Sequence, residues 1–424
     1  MESTGTKIHF LPLFALATVP LIMVLGNSML IPILPTMQDT IGISKAQSSL
    51  VITMFSVPAG VIIPLAGFLS DRYNRKVVIV PGLILYGIGG VICGLAAWLL
   101  SSPYWLIMVG RVLQGLGAAG TAPIAMALAG DLWKGAARAK ALGLIEAANG
   151  LGKVLSPIFG VLLAMLFWYA AFFAFPIICV FSAALVYFFV KEPKKTGPKQ
   201  EVKKYLSTLK KTFKKQYKFL LTAYFAGVVA LFILFGFLFY IAQILEEVYK
   251  IDGLMRGFIL SGPLLAMAVT SYITGTKIKK NYGLMKTLIL VGLALIFLPL
   301  VINAFLKNPY IELGLLVVSG IGTGLTLPCL NTMITSSVEQ NERGAITSLY
   351  GSVRFLGVAA GPPIFGALMD TPRMMYLIMA GLTLLCFIVC WMFIKVKQQD
   401  KGGKDPYQKI EWDRKATALK KARA

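Results

Sequence analysis

Long apolar stretches recur along this chain, separated by short polar turns. A helix that crosses a bilayer needs about 20 apolar residues. Twelve stretches qualify, at 10–34, 46–67, 77–99, 104–127, 139–166, 170–190, 219–245, 255–275, 284–305, 311–335, 345–368 and 374–394. Inside a membrane every backbone polar group must be satisfied within its own segment, so runs of this length predict helices. The first stretch is long, lacks a small-residue cleavage site and leads into further spans. It therefore reads as a span and not as a signal peptide.

One polar interval breaks the rhythm. Residues 191–218 hold eleven lysines and two prolines, and Leu206, Leu209, Phe213 and Tyr217 recur among the lysines at helical spacing. Two readings fit this segment: a linker whose second part is an amphipathic helix lying on the membrane, or a solvated tether. The tail 395–424 is similar, with ten basic and four acidic residues. The chain is thus expected to divide into a six-helix bundle at 1–190, a basic linker at 191–218, a second six-helix bundle at 219–394 and a basic tail at 395–424. The halves repeat one pattern. A constant offset of 205 maps Arg72 to Lys277, Arg75 to Lys280, Gly115 to Gly320 and Gly117 to Gly322. It also maps Pro123 to Pro328, Arg138 to Arg343, Gly152 to Gly357 and Pro157 to Pro362. Internal duplication of this kind sets two equivalent bundles against each other in the membrane.

Composition agrees with a membrane protein: 57% of residues are hydrophobic and 14% charged, against about 25% in soluble domains. The net charge of +23 raises nucleic acid as a partner, but its distribution argues against it. With the N-terminus inside, 33 of the 41 Lys and Arg fall on the cytoplasmic side; Lys45, Lys250, Arg256, Lys307 and Arg373 fall outside. This orients both termini to the cytoplasm and faces the basic surface toward anionic lipid. The five cysteines lie within apolar spans with no CxxC pair, and His9 is the sole histidine, so no metal site or cofactor is expected.

Between the second and third spans the chain reads Gly67-Phe-Leu69-Ser-Asp71-Arg72-Tyr-Asn74-Arg75-Lys76. This resembles the major facilitator superfamily of secondary transporters, whose loop reads Gly-x-Leu-x-Asp-Arg-x-Gly-Arg-Lys/Arg. Only the second Gly differs, as Asn74, which tolerates left-handed backbone. The resemblance implies twelve transmembrane helices in two pseudo-symmetric six-helix bundles, an all-α membrane protein. It also implies that Gly67, Asp71, Arg72, Arg75 and Lys76 form a cytoplasmic gate. The physics fits: if span 11 packs beside span 2, Asp71 meets a positive helix N-terminus. A turn that only sets topology is the competing reading.

Span 4 carries Arg111-x-x-Gln114-Gly115, a pattern the family shows on helix 4, and the resemblance associates its arginine with proton coupling. The alternative is an arginine that snorkels to the outer interface. Span 5 carries Gly143, Gly152, Ser156-Pro157 and Gly160, which is similar to the antiporter signature of the drug/H⁺ branch, Gly-x8-Gly-x3-Gly-Pro-x2-Gly-Gly. Ordinary close packing of small residues explains the same positions.

Glu146 is the one carboxylate expected well inside a span, about 10 Å from the cytoplasmic end of span 5 at 1.5 Å per residue. Lys153 lies about 10 Å deeper on nearly the same face, and Arg354 at similar depth in span 11. Ionisable residues at such depth mark ion paths. Glu146 is either a proton carrier or one half of a fixed ion pair. A substrate cavity is expected around Asn27, Gln114, Asn149, Lys153 and Arg354. Pro32 and Pro35 resemble the end of the family's first helix. The aromatic run Phe225, Phe232, Phe235, Phe237, Phe239 and Tyr240 lines either a greasy cavity or the lipid. Spans 1, 7 and 10 are read as free of carboxylates, which disfavours cationic drugs.

The reading is a proton-coupled antiporter of the multidrug efflux type that exports small lipophilic compounds by alternating access, and it is not an enzyme. The alternative is a transporter or flippase for an anionic or lipid-linked metabolite. The expected partners are a small-molecule substrate, protons and anionic inner-leaflet lipid. The protein is expected in the cell membrane as a monomer.

Overall fold

The computed structural model describes residues 9–192, 202–278, 281–306, 308–338 and 340–394. The helices are α1 (Phe10–Ser28), α2 (Leu34–Ile41), α3 (Lys45–Arg72), α4 (Lys76–Leu99), α5 (Tyr104–Ala119), α6 (Ala122–Leu132) and α7 (Gly135–Ala164). They continue as α8 (Ala170–Phe189), α9 (Val202–Glu247), α10 (Gly253–Lys277), α11 (Tyr282–Phe305), α12 (Pro309–Ser337), α13 (Gln340–Leu368) and α14 (Pro372–Phe393). Among the described residues there is no strand.

Fourteen helices make twelve passes because two passes are broken. A short 3₁₀ turn, Ile31–Ile33, joins α1 to α2; Pro32 and Pro35 remove backbone donors there, so the α-helical ladder cannot run through. The second break follows α5 at Gly120 and Thr121, and Pro123 opens α6. Eleven passes are long and apolar enough to cross a membrane on length and composition. The remaining one, α13, is 29 residues long, but Arg354 and the Pro362-Pro363 pair lower its hydropathy.

Before the 193–201 interval, α4 packs on α5 and α8, α3 on α5, and α1 on α7; after it, α11 packs on α12 and α14, α10 on α12, and α9 on α13. The two sets meet along α3–α13 and α7–α10. The internal repeat is visible in how backbones approach. Gly115 seats α5 against the Phe55 carbonyl of α3, and its counterpart Gly320 seats α12 against the Pro263 carbonyl of α10. Gly117 lies on the Gly82 carbonyl of α4, where a Cβ would come within 2.5 Å, and Gly322 lies likewise on the Gly292 carbonyl of α11. Small residues at these crossings allow the close helix contacts typical of membrane bundles.

The second part of the lysine-rich segment is helical and runs on into the next span as α9, bent at Gln216 (φ −130°, ψ 24°). Gln216 Nε2 donates to the Ser337 carbonyl at 2.7 Å, and the Phe213 ring meets Tyr224 edge-on at 5.8 Å. This helix therefore docks on α12 and on its own span through Phe213, while Tyr217 stays exposed. Residues 193–201 of the linker, the side chains of Leu206 and Leu209, Lys307 and the tail 395–424 lie outside the described residues.

Candidate functional site

At the end of the bundle where α3 turns into α4, the basic motif forms a tight network. Asp71, in the last turn of α3, pairs with Arg75 at 3.0 Å. Arg75 also reaches Asp131 at the end of α6 at 2.6 Å, and donates to Ser70 Oγ at 3.1 Å. The Glu192 carboxylate accepts from the N–H groups of Arg75 and Lys76 at 2.7 and 2.9 Å, capping α4. Lys76 Nζ donates to the carbonyls of Tyr187 and Val190 that end α8, at 2.7 and 2.8 Å. Arg72 lies over the Tyr73 ring at 5.9 Å. The start of α13 abuts the motif. A Cβ on Gly67 would stand 2.8 Å from Ser348 Oγ, and one on Gly344 would stand 3.5 Å from Asp71 Oδ2. The carboxylate therefore sits beside the first turns of α13.

Arg111 does not snorkel. It is fully buried and makes four hydrogen bonds. Nε donates to the Val51 carbonyl at 2.9 Å, Nη1 to the Gly26 carbonyl at 3.0 Å and to Gln114 Oε1 at 2.8 Å, and Nη2 to Asn27 Oδ1 at 3.4 Å. The guanidinium also lies 4.6 Å over the Phe55 ring. Asn27 in turn donates to Ser56 Oγ at 3.1 Å. Asn27 and Gln114, expected in the cavity, are thus brought together as acceptors of Arg111 in a node joining α1, α3 and α5. A planar fork with five donors suits such a node.

Of the fifth-span motif, Gly152 packs against Leu21 of α1, Gly160 against the Met29 carbonyl, and the Pro157 carbonyl against Gly257 of α10. Ser156 is buried and donates back to the Lys153 carbonyl at 3.2 Å. Gly143 is exposed, with open space where a Cβ would stand.

Between these two contact seams lie the central charges. Lys153 on α7 is acted on by the charges of Glu146, on its own helix, and Arg354, on α13. Asn149 Oδ1, Arg354 Nε and the Tyr350 hydroxyl are buried without a hydrogen-bond partner. The Arg354 guanidinium lies over the Tyr350 ring at 5.3 Å. Glu146 is exposed, and no ion pair among the described residues involves Glu146, Lys153 or Arg354. Asn149 and Arg354 are related by the same offset of 205, so the two halves present one polar group each at equivalent positions. An electron-rich group entering here would meet two cations and an unpaired phenol.

The opposite end is fastened between the halves. Lys45 pairs with Glu247 at 2.7 Å, and Arg256 Nη2 donates to Thr36 Oγ1 at 3.2 Å while Glu246 holds its other nitrogen. The expectation that the tenth span has no carboxylate is corrected by Glu312, which lies within α12 and accepts from the Tyr376 hydroxyl of α14. Glu312 is four residues into its helix, so it passed for a helix-end charge. Glu192 was missed because its partners, the Arg75 and Lys76 N–H groups, lie 117 and 116 residues away along the chain.

Residues 16–362 and 243–423 match the sequence model described as Major Facilitator Superfamily. The chain is 43% identical over 379 residues, 89% of its own length and 94% of the relative's, to the bacillibactin exporter of Bacillus subtilis (strain 168). It is 24% identical to multidrug resistance protein 1 of the same organism, over 82% of this chain and 86% of that protein. Its fold matches the crystal structure of a bacterial homolog of the human lysosomal transporter Spinster, in an inward-facing and unoccupied conformation. That match has a TM-score of 0.72 and 17% identity, covering 92% of this chain and 98% of the other.

Proposed function

The chain belongs to the major facilitator superfamily, a family of transporters and not enzymes, and we propose that it works as a proton-coupled antiporter exporting small amphiphiles that carry an anionic or electron-rich group. The observation that supports this is the pair Lys153 and Arg354. They come from opposite halves, the charge of Glu146 and then that of Arg354 act on Lys153, and neither cation has an ion-pair partner among the described residues. Cations held together in a membrane interior carry a cost, and an anionic guest relieves it. In the same reading the Asp71 end faces the cytoplasm, both termini lie inside, and the protein acts as a monomer.

With the Lys45–Glu247 end closed and Glu146 exposed, cargo binds from the cytoplasm between Lys153 and Arg354. Glu146 gives up its proton on that side. Opening of the opposite end then releases cargo, and a proton taken up there resets the cycle. The relative's name makes bacillibactin the first compound to test. In inside-out vesicles an imposed proton gradient drives its uptake, together with anionic amphiphiles, and a sodium gradient does not. Lys153→Gln raises KM for anionic cargo about ten-fold, which corresponds to about 1.4 kcal/mol. Unchanged KM, or sodium-driven uptake, overturns the reading.

A further inference from the structure

We propose that Glu312 is a second proton-binding site, enclosed within the second half of the bundle near the Lys45–Glu247 end. The proposal rests on the antiport reading only for the direction in which the proton comes; the site itself stands on its own geometry.

Glu312 lies on a face of α12 that continues with Ser319, Thr323 and Thr326 at helical spacing. These three are almost fully buried, at 1%, 0% and 0% exposure. The face is a polar stripe running inward through an apolar bundle. Thr323 and Thr326 return their hydroxyl protons to their own helix, at the carbonyls of Ser319 and Gly322. The Ser319 hydroxyl has no partner.

Two other helices close on the carboxylate. Tyr376 of α14 donates to it. Tyr240 of α9 meets the Tyr376 ring edge-on at 5.7 Å, with its hydroxyl in hydrogen-bonding reach of Tyr376. Just beyond α9, burial first and then the Glu312 charge push the Tyr249 phenol above its ordinary value. On α11, Asn303 occupies the face that carries Gly292 against Gly322 of α12. It lies one turn from the loop that joins the two helices, and so at the depth of Glu312. Asn303 is 6% exposed, and neither atom of its amide has a partner.

Two cations at this end, among the described residues, are engaged elsewhere. Arg256 of α10 is bonded to Glu246 and Thr36. Arg373 of α14 lies over the Phe305 ring at 5.1 Å. The titratable groups acting on Glu312 among the described residues are therefore the phenols Tyr376, Tyr240 and Tyr249. A carboxylate in a span without a cation is costly, and a proton removes that charge. Once protonated, the carboxyl becomes a donor as well as an acceptor, and the unpartnered Asn303 amide supplies an acceptor at the same depth. A carboxylate with no ion pair among the described residues, a phenol that donates to it and an idle buried amide together make a site whose ligand is a proton.

The test is difference infrared spectroscopy of the full chain in lipid nanodiscs, between acidic and neutral buffer, without cargo. The expected result is a protonated-carboxyl C=O band that is absent from Glu312→Gln and shifted in frequency in Tyr376→Phe. Gln keeps an oxygen that accepts from Tyr376, so this variant preserves the fold's hydrogen bond. Should it nevertheless misfold, the shift in Tyr376→Phe decides alone. A band unchanged in both variants, or no band in the wild type, overturns the proposal. A band that behaves as expected in a protein whose transport ignores the proton gradient supports the site and overturns the antiport reading instead.

Discussion

Glu146 and Arg111 are both ionisable residues within spans, yet their surroundings differ. Arg111 has its charge distributed over acceptors from three helices, so it fixes geometry. Arg111→Lys, which keeps the charge but loses the fork, should lower the unfolding temperature in detergent. The expected loss is about 2–3 kcal/mol, as for hydrogen bonds to a charged group. Glu146 has no ion pair among the described residues and is exposed; the antiport reading gives it the proton. Glu146→Gln should express and unfold like the wild type and still equilibrate cargo downhill, while losing accumulation driven by a pH gradient. Paired measurements of expression, exchange and gradient-driven uptake check this. Loss of folding would mean instead that Glu146 pins α7. What the sequence displays at this scale is the presence and depth of such residues. Their partners were hidden, because the Gly26 and Val51 carbonyls that hold Arg111 lie 85 and 60 residues away along the chain.

At the scale of the helix, apolar length is a strong signal, and the spans were legible down to their order. The breaks were less so. Pro32 and Pro35 mark a break in the run from Phe10 to Ile41 but not that the chain continues past it through a 3₁₀ turn into a further helix, and the helical spacing in the lysine-rich run does not show that its helix joins the next span with only a bend at Gln216. The glycine repeat was legible as spacing, but which glycines matter depends on what faces them. Gly117→Ala would set a methyl group within 2.5 Å of the Gly82 carbonyl oxygen and of the Tyr86 nitrogen. Forcing α4 and α5 apart in this way should destabilise by about 1–3 kcal/mol. Gly143→Ala faces open space and should be neutral or slightly stabilising through helix propensity. Thermal unfolding of the two variants side by side checks the contrast. The docked lysine-rich helix leads to another expectation. Neutralising Lys210, Lys214, Lys215 and Lys218 should weaken binding to anionic liposomes by about 1 kcal/mol per charge near the surface, and leave turnover within a few-fold. Abolished turnover in correctly inserted protein would make this helix part of the gate.

For the molecule as a whole, the two ends of the α3–α13 and α7–α10 seams differ in chemistry: ion pairs within the first half at one, an ion pair between the halves at the other. At the Asp71 end the carboxylate lies beside the start of α13 and is tied to Arg75, which is tied in turn to Asp131. Asp71→Asn removes the charge and little volume. It should leave membrane levels unchanged, shift the population toward the state open at that end, and strongly reduce export, as read by cysteine accessibility across the seam together with transport. Wild-type transport by this variant would contradict the gate assignment. At the opposite end the halves are joined by Lys45 with Glu247, whose side chains are 36% and 41% exposed, and by a single hydroxyl on Arg256. Exposed pairs of this kind are worth about 0–1 kcal/mol and weaken with salt. These polar ties are minor beside the packing at the same end, where Gly257 of α10 lies against Pro157, Ile158 and Val161 of α7 and Thr53 of α3 donates to the Ala359 carbonyl of α13. Added salt should therefore loosen Lys45 from Glu247 and leave the packed seam beneath them as it is, so this end answers to the surrounding medium only at its rim.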